Sequence, residues 1–594
     1  MKLRLALLAV LSAALITLAV PNELFTYGNA LFDLICLVPL WIAIGLSPSR
    51  RYTHLLGLLF GVVSSLATYF WLAFFRDFST WTIGGVTLGF AYQFFIFAPF
   101  LFTFSRASSR WRPFLFAAAW TVYEYFKSIG FLGFPWGLLA YPVGGILPLV
   151  QIADITGVWG VSFLVAAVNG MIGETLFRLL HISPAPLPTT PPSLADSPAA
   201  KRELLRGWAA IAVLTAGFLA YGFVQMAEPI PIKTKLSLVL VQQNIDSWRA
   251  GMAMPSIKEG EELTRAAIAH AKTKPDLVVW SEESFRRPYQ LAKPDFETEP
   301  AGDPFLHFMK EIDTPLLVGS PYILNLQKQD AENATILIAP NGDLLQHYGK
   351  HHLVPFAEYI PFWNVPAVRE FMENAVGIGG MWTPGKRYTV YSTPAKAGGE
   401  VRFSTPICFE DSFPYLGRIY FREGADLLIN LTNDSWSHTV SAETQHLVAA
   451  RYRAIEAKRV LVRSANSGIT AVIDPYGRIT ASLPPFTAAA LDVTVPVYKG
   501  KQLTPYILYG DWVPIVLAVW LFGVLMSLAG YLPGRKIAAG ARGHTGEELN
   551  GETELRDPNG RSLHEPGPSL GDRNSPAAKE TAPVGDERPR GANP

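Results

Sequence analysis

The chain has 594 residues, 49% of them apolar and only 17% charged, with 15 Trp, 36 Phe and a positive mean hydropathy. That is too apolar for a soluble chain of this length, so an integral membrane protein is expected. A net charge of +1 and the lack of any basic-aromatic stripe give no ground for nucleic-acid binding.

A spanning helix needs roughly 20 mostly apolar residues. About eight runs qualify: Leu5–Val20, Ala30–Leu46, Leu55–Phe75, Ile83–Phe104, Phe114–Ile129, Val158–Leu179, Ala209–Val224 and Trp512–Leu532. No small-x-small cleavage site follows the first, so it is read as an uncleaved anchor rather than a signal peptide. Basic residues cluster in alternate connections, at Lys2 and Arg4, Arg50 and Arg51, Arg106 to Arg112, Lys201 to Arg206, and Arg535 with Lys536. Those connections are expected in the cytoplasm together with both termini. The long polar insertion from Glu228 to Pro505 then lies on the opposite side, which in a bacterium is the periplasm. The chain is thus divided into a seven-helix membrane region (1–227), an inserted domain (228–505), a last transmembrane helix (506–536) and a tail (537–594). The Pro-, Ser- and Thr-rich segment Ser183–Ala200 reads as a flexible connection. The tail has almost no large apolar residues from about Ala541 onward and is expected to be disordered.

The insertion alternates short β-like runs with helical ones, the pattern of a layered α/β domain. Strands are predicted at Leu236–Gln242, Leu277–Trp280, Pro315–Ser320, Thr335–Ala339, Val401–Ile407, Asp426–Leu431, Val460–Ser464 and Thr470–Asp474. Helices are predicted at Ser256–Lys272, Phe305–Ile312, Phe413–Glu423 and Ala442–Lys458. In open α/β sheets, sites form at the carboxyl ends of strands. Three segments with that placement carry reactive side chains: Trp280-Ser-Glu282, then Tyr348-Gly-Lys-His-His-Leu-Val-Pro-Phe-Ala-Glu358, then Pro406-Ile-Cys-Phe-Glu410.

The chain has two cysteines. Cys36 lies in an apolar run and reads as helix packing, whereas Cys408 is either small core filler or a nucleophile. A thiol is mostly protonated at neutral pH and needs a base. Acyl transfer also needs a cation or donors where the carbonyl oxygen turns negative. Glu282, Lys350 and Cys408 together supply those functions. His351, His352, His438 and His446 show no ligand spacing and are read as polar loop or helix residues, with no metal site expected. Asn333 and Asn430 sit in glycosylation-type triplets, which carry no meaning in a bacterial protein.

The three segments resemble the Glu-Lys-Cys triad of the nitrilase superfamily, which implies an αββα sandwich. Such a domain inserted before the last of about eight helices resembles, more narrowly, the apolipoprotein N-acyltransferase family. Further motifs carry this likeness: Gly133-Phe-Pro-Trp136, Gly157-Val-Trp-Gly-Val-Ser-Phe163, Asn433-Asp-Ser-Trp436, Gln445-His-Leu447 through Glu456, and Arg463-Ser-Ala-Asn-Ser-Gly468. The resemblance implies acylation of Cys408 by the sn-1 chain of a phospholipid, with phosphatidylethanolamine the expected donor, and passage of the acyl group to the α-amine of a diacylglyceryl-cysteine apolipoprotein. It implies Glu282 as general base, Lys350 as oxyanion partner with the N–H after Cys408, and Glu358 and Glu410 as supporting carboxylates. No cofactor is required, the location is the inner membrane, and a monomer is expected. Phe409 stands where the family often has Tyr, so no phenolic role is assigned there.

Lipid access is expected through the apolar loop Leu353–Phe362, with Phe356, Phe409, Trp248 and Trp436 as candidate lipid contacts. Two other readings compete. A membrane-anchored amidase would keep the triad but have no use for so many helices. A transporter or sensor would need functional charges within the membrane, for which Asp33 and Glu124 are the candidates.

Overall fold

Runs apolar on every side cannot rest on a water-exposed surface, and they fold here as a helical bundle. The structure is a computed structural model describing residues 1–75, 79–182, 184, 198–247, 249–297, 304–376, 381–499 and 503–528. Trp248, most of the 183–200 connection, the end of the last predicted span and the whole 537–594 tail lie outside these residues. Among the described residues, four helices are long and apolar enough to cross a membrane: Lys2–Ala19, Thr80–Ser105, Val158–Leu179 and Lys201–Ala227. Arg50–Thr68 and Arg112–Lys127 pack among them, with shorter apolar helical stretches at Ala30–Gly45, Leu147–Thr156 and Trp512–Leu528.

The stretch predicted as one helix over Ala30–Leu46 is instead broken into Ala30–Asp33 and Val38–Gly45. Pro39 has no N–H to extend a helix arriving from residue 35, so the helix restarts just before it. Asn169 closes the gap from a neighbouring helix. Its Oδ1 accepts from the Leu37 N–H at 2.8 Å, and its Nδ2 donates to the Asp33 carbonyl at 2.9 Å. Irregular backbone at membrane depth persists only where protein groups satisfy it in this way.

Among the described residues, the inserted segment contains twelve strands: β1 (Ile232–Gln242), β2 (Leu277–Trp280), β3 (Leu316–Asn325), β4 (Asp330–Ile338), β5 (Leu344–Gly349), β6 (Tyr391–Pro394), β7 (Glu400–Ser404), β8 (Leu427–Thr432), β9 (Leu461–Ala465), β10 (Ala471–Ile473), β11 (Ile479–Ser482) and β12 (Ala489–Tyr498). They form two six-stranded sheets, ordered β12-β1-β2-β3-β4-β5 and β11-β10-β9-β8-β7-β6. Each sheet has three parallel inner strands, β1-β2-β3 and β7-β8-β9, with antiparallel strands on either side. The sheets meet face to face. Ser464 Oγ donates across to the Val241 and Val279 carbonyls at 3.3 and 3.2 Å, and the Thr335 and Thr405 hydroxyls pair at 2.6 Å. Helices Ala253–His270 and Phe305–Ile312 cover the first sheet, and Pro414–Arg422 and Val440–Ala457 cover the second, which completes the expected αββα sandwich.

Helix Val440–Ala457 is polar in composition yet buried at nearly every position, because the membrane-embedded part covers it. Two of its polar side chains end on backbone carbonyls of that part. Gln445 Nε2 donates to Pro21 O and Thr68 O at 2.9 and 3.2 Å, and the Tyr452 hydroxyl donates to Ala140 O. From the other side, the Trp136 indole N–H donates to Ser412 Oγ at 3.0 Å. The catalytic-type sandwich is therefore docked on the helices by directed hydrogen bonds as well as apolar contact.

Replacing Asn169 with Ala leaves the buried Leu37 N–H at the break without a partner and the Asp33 carbonyl with only the weak Cys36 thiol donor. A loss of about 1–3 kcal/mol is expected, read as a lower unfolding midpoint of the detergent-solubilised protein. An unchanged midpoint would show that the break is not held by Asn169.

Candidate active site

The three residues of the expected triad lie just beyond strands, where the sheet stops consuming backbone hydrogen bonds: Glu282 follows β2, Lys350 follows β5 and Cys408 follows the β7 segment, while Asn433 follows β8. Space for Glu282 is made by Gly319 on β3, where a Cβ would fall 2.5 Å from the Glu282 Cα. Any larger residue there would displace the glutamate backbone.

Glu282, Lys350 and Glu358 form one buried cluster. The Lys350 ammonium, 1% exposed, donates to Glu358 Oε1 at 2.8 Å and to Glu282 Oε1 at 3.3 Å. Asn333, on β4, spans both carboxylates: its Nδ2 donates to Glu282 Oε1 at 2.9 Å and to Glu358 Oε1 at 3.0 Å. The outer oxygens are fixed by backbone, Glu282 Oε2 accepting from the Asn433 N–H and Glu358 Oε2 from the Val354 N–H, both at 2.8 Å. Lys350 itself is set by its own N–H on the Asn333 carbonyl at 2.8 Å. Burial pushes the Lys350 ammonium down, but Glu282 and then Glu358 outweigh it, so the amine stays charged well beyond its usual range. Glu282 is raised by burial, opposed by Lys350 and reinforced by Glu358.

Cys408 stands beside this cluster, partly exposed, at φ +52°. A residue other than glycine held there carries local strain. Asn430 on β8 holds the bend, its Nδ2 donating to the Cys408 and Pro406 carbonyls at 2.9 and 3.1 Å. Burial and then the Glu282 carboxylate push the thiol well above its ordinary value, with Lys350 pulling the other way. The resting thiol is neutral. A thiolate forms only as its proton moves to a base. Among the described residues, the Phe409 N–H at the start of the following tight turn has no protein acceptor.

Glu410 stands one layer back. It touches neither the Lys350 amine nor the thiol, and instead gathers the N–H groups of His351, His352 and Ile407 at 2.8–2.9 Å together with the Tyr348 hydroxyl. It thereby ties the Lys350 segment to the Cys408 segment. Burial lifts it to about 7 in spite of those donors.

The apolar loop 353–362 folds back on itself. Phe356, half exposed at φ +62°, and Tyr359 lie against the ring of Phe131 from the membrane-embedded part. Trp436 sits between Trp71 and Phe75, with ring centres 5.6 and 4.9 Å away. Phe409 packs edge-on to Phe413 and His352.

Sequence reasoning missed the three asparagines that organise this site. Asn333 and Asn430 attracted notice only as glycosylation-type triplets, and Asn433 only as part of a motif. The available signal was a polar amide within or just past a buried strand, which must be hydrogen-bonded. His446 was missed as well. Its Nε2 meets Asp411 at 3.0 Å and its Nδ1 meets Asp434 at 3.2 Å, while Arg463 bridges the same two carboxylates and Trp136 lies over the ring. Asp411 shares the turn of Cys408 and Asp434 follows Asn433. One ring thus ties the thiol segment to the segment whose N–H holds Glu282.

A two-sheet sandwich with a Glu–Lys–Cys cluster at its strand ends is the arrangement of a carbon–nitrogen hydrolase. The carbon-nitrogen hydrolase family model matches residues 240–500, and the model for the apolipoprotein N-acyltransferase N-terminal domain matches residues 12–171. The chain is 38% identical to apolipoprotein N-acyltransferase 2 of Treponema denticola over 522 residues, 87% of this chain and 96% of that protein. It is 37% identical to apolipoprotein N-acyltransferase 2 of Treponema pallidum, with 87% and 94% covered, and 32% identical to the apolipoprotein N-acyltransferase of Borreliella burgdorferi, with 88% and 96% covered. The chain belongs to the apolipoprotein N-acyltransferase family. The competing amidase reading is not favoured by these relatives.

The His446 geometry sets a pH dependence. Burial and Arg463 push the imidazole down, but Asp434 and Asp411 prevail and lift it to about 9, with Glu443 close by on the same helix and pushed up by burial and Asp434. A pKa raised from about 6.5 adds stability that is fully present below pH 6.5 and is lost as pH rises through about 9, on the order of 3 kcal/mol in all. Thermal melts of the wild type should therefore fall between about pH 6.5 and 9. In His446→Gln that decline should be largely absent and the midpoint at pH 7 lower. A wild-type decline retained in full by the variant would remove His446 from this role.

Proposed function

We propose that this protein N-acylates the terminal S-diacylglyceryl-cysteine of apolipoproteins, taking the sn-1 acyl chain of a phospholipid through a thioester on Cys408. The observation that carries the reading is the buried Glu282–Lys350–Glu358 cluster beside a strained, neutral thiol, on a sandwich docked against apolar helices. Family membership supplies the substrate class.

In the first half-reaction the thiol proton passes to Glu282 as sulfur attacks the ester carbonyl. The tetrahedral oxyanion is met by the Lys350 ammonium and the Phe409 N–H. Its collapse breaks the carbon–oxygen bond, and the proton on Glu282 goes to the departing lysophospholipid alcohol. In the second half-reaction the lipoprotein amine attacks the thioester and gives its proton to Glu282. The thiolate leaves and is reprotonated, so Cys408 returns to its starting state and no oxidant or nucleotide is consumed. Glu358 and Asn333 keep Lys350 and Glu282 in position, and Glu410 braces the backbone on both sides.

The 228–505 segment is the catalytic domain in this reading, placed on the periplasmic side of the inner membrane by the distribution of basic residues. Phosphatidylethanolamine is the proposed donor and a monomer the proposed working unit. Phe356 and Tyr359 on the loop against Phe131, with Trp436 near Trp71, offer the apolar surfaces along which an acyl chain reaches the thiol.

Incubation of the purified protein with phosphatidylethanolamine should add one hydroxylamine-labile fatty-acyl mass, absent from Cys408→Ala. A folded wild type that acquires no such mass would contradict the reading. Lys350→Ala should slow acylation by about 10²–10³-fold, the usual cost of one oxyanion donor. An unchanged single-turnover rate would remove Lys350 from that role.

A further inference from the structure

Arg451 projects from helix Val440–Ala457, the helix on which the membrane-embedded part is seated. It is 9% exposed, and among the described residues no hydrogen bond or ion pair reaches its guanidinium. Its neighbours on the chain are all engaged: Arg453 with Ser412 O and Glu456, and Lys458 with Gln151 and Asp154. The carboxylates on adjoining segments are engaged too, Glu23 by Ser441 and Asp474 by the N–H groups of Tyr476 and Arg478. The groups that act on Arg451 are two phenols, Tyr452 and Tyr27, and no acid. An enclosed guanidinium without an acceptor is costly, and it is satisfied by an anion that presents two oxygens.

Its position specifies the kind of anion. The side chain passes under two glycines: a Cβ on Gly144 would lie 3.4 Å from its Nη1, and one on Gly477 would lie 3.3 Å from its Cγ. Gly144 belongs to the turn Pro142–Gly145 of the membrane part. Next to Gly477, the Tyr476 hydroxyl donates at 2.8 Å to the carbonyl of Glu228, the residue following the helix that ends at Ala227. Tyr27 lies in the connection after the helix Lys2–Ala19. The connection after Lys2–Ala19, the turn Pro142–Gly145 and the segment beside Glu228 thus surround Arg451, close to the ends of two apolar helices. The same connections expose apolar side chains, Leu24 at 76%, Leu31 at 77% and Ile146 at 43%, which suits contact with acyl chains rather than water.

We propose that Arg451, beneath Gly144 and Gly477, holds the phosphodiester of a phospholipid lodged at the junction of the membrane-embedded part and the sandwich, a site separate from the Cys408 cluster. A lipid bound there adds a shared ligand to both parts and helps keep the sandwich seated. The site does not depend on the thioester reading, since it requires only a phosphate within reach of Arg451.

Native mass spectrometry of the delipidated full chain, titrated with phosphatidylglycerol, tests this. The wild type should bind one tight phospholipid that Arg451→Gln binds at least tenfold more weakly, with Arg451→Lys intermediate. Dioleoylglycerol, which lacks the phosphate, should not fill the site, and inorganic phosphate should compete only weakly. Acyl-thioester formation on Cys408 should persist in Arg451→Gln, which separates this site from the catalytic one. Equal occupancy in wild type and Arg451→Gln, filling by dioleoylglycerol, or displacement by inorganic phosphate at the same concentration as lipid would each overturn the proposal.

Discussion

The site depends on one arrangement of charge, an ammonium enclosed between two carboxylates. Lys350 alone would be expelled from so buried a position, and Glu282 and Glu358 facing one another would repel. Together they hold each other in place, with Asn333 and two backbone N–H groups completing the shell. With all three groups ionised, the cluster carries one excess negative charge. Burial raises Glu282 and the neighbouring thiol, and this excess negative charge reinforces both shifts. Moving the thiol proton to Glu282 then relocates a charge within the cluster without adding one, and Lys350 remains cationic throughout.

This balance is set from outside the cluster. Cys408 keeps its strained conformation because Asn430 holds its carbonyl, Glu410 gathers the N–H groups around it, and Asp411 in the same turn is clamped through His446 and Arg463 to the segment that carries Asn433. Trp136, from the membrane-embedded part, lies on the His446 ring and donates to Ser412. The membrane helices are therefore part of the scaffold of the site and do more than anchor it. A buried polar network of this extent favours one geometry, and removing a member leaves further buried groups unpaired beside Asn430 Oδ1 and Arg463 Nε, which already have no hydrogen-bond partner.

Glu282 and Cys408 were legible because each follows a short apolar run, Lys350 because of the motif around it, and all eight predicted strands exist. The four strands that escaped, β5, β6, β11 and β12, are the four sheet edges. Edge strands face water along one side, tolerate Pro394 and Pro496, and so lose the apolar pattern that marks an inner strand. The break at residues 34–37 was hidden because both halves of that run are apolar and the residue that closes it, Asn169, lies on another helix. The asparagines and His446 were invisible for a related reason. Their importance comes from partners distant in sequence, and no local spacing records that.

The account turns on an acyl group that passes through Cys408 and ends on an amine. The most direct test supplies a phospholipid whose sn-1 and sn-2 chains differ in mass, follows the Cys408 peptide, and then adds a diacylglyceryl-cysteine peptide. The account predicts that the sn-1 mass appears on Cys408 and moves to the peptide amine in equal amount. Release of that chain as free fatty acid, or acylation of the amine in Cys408→Ala, would contradict it.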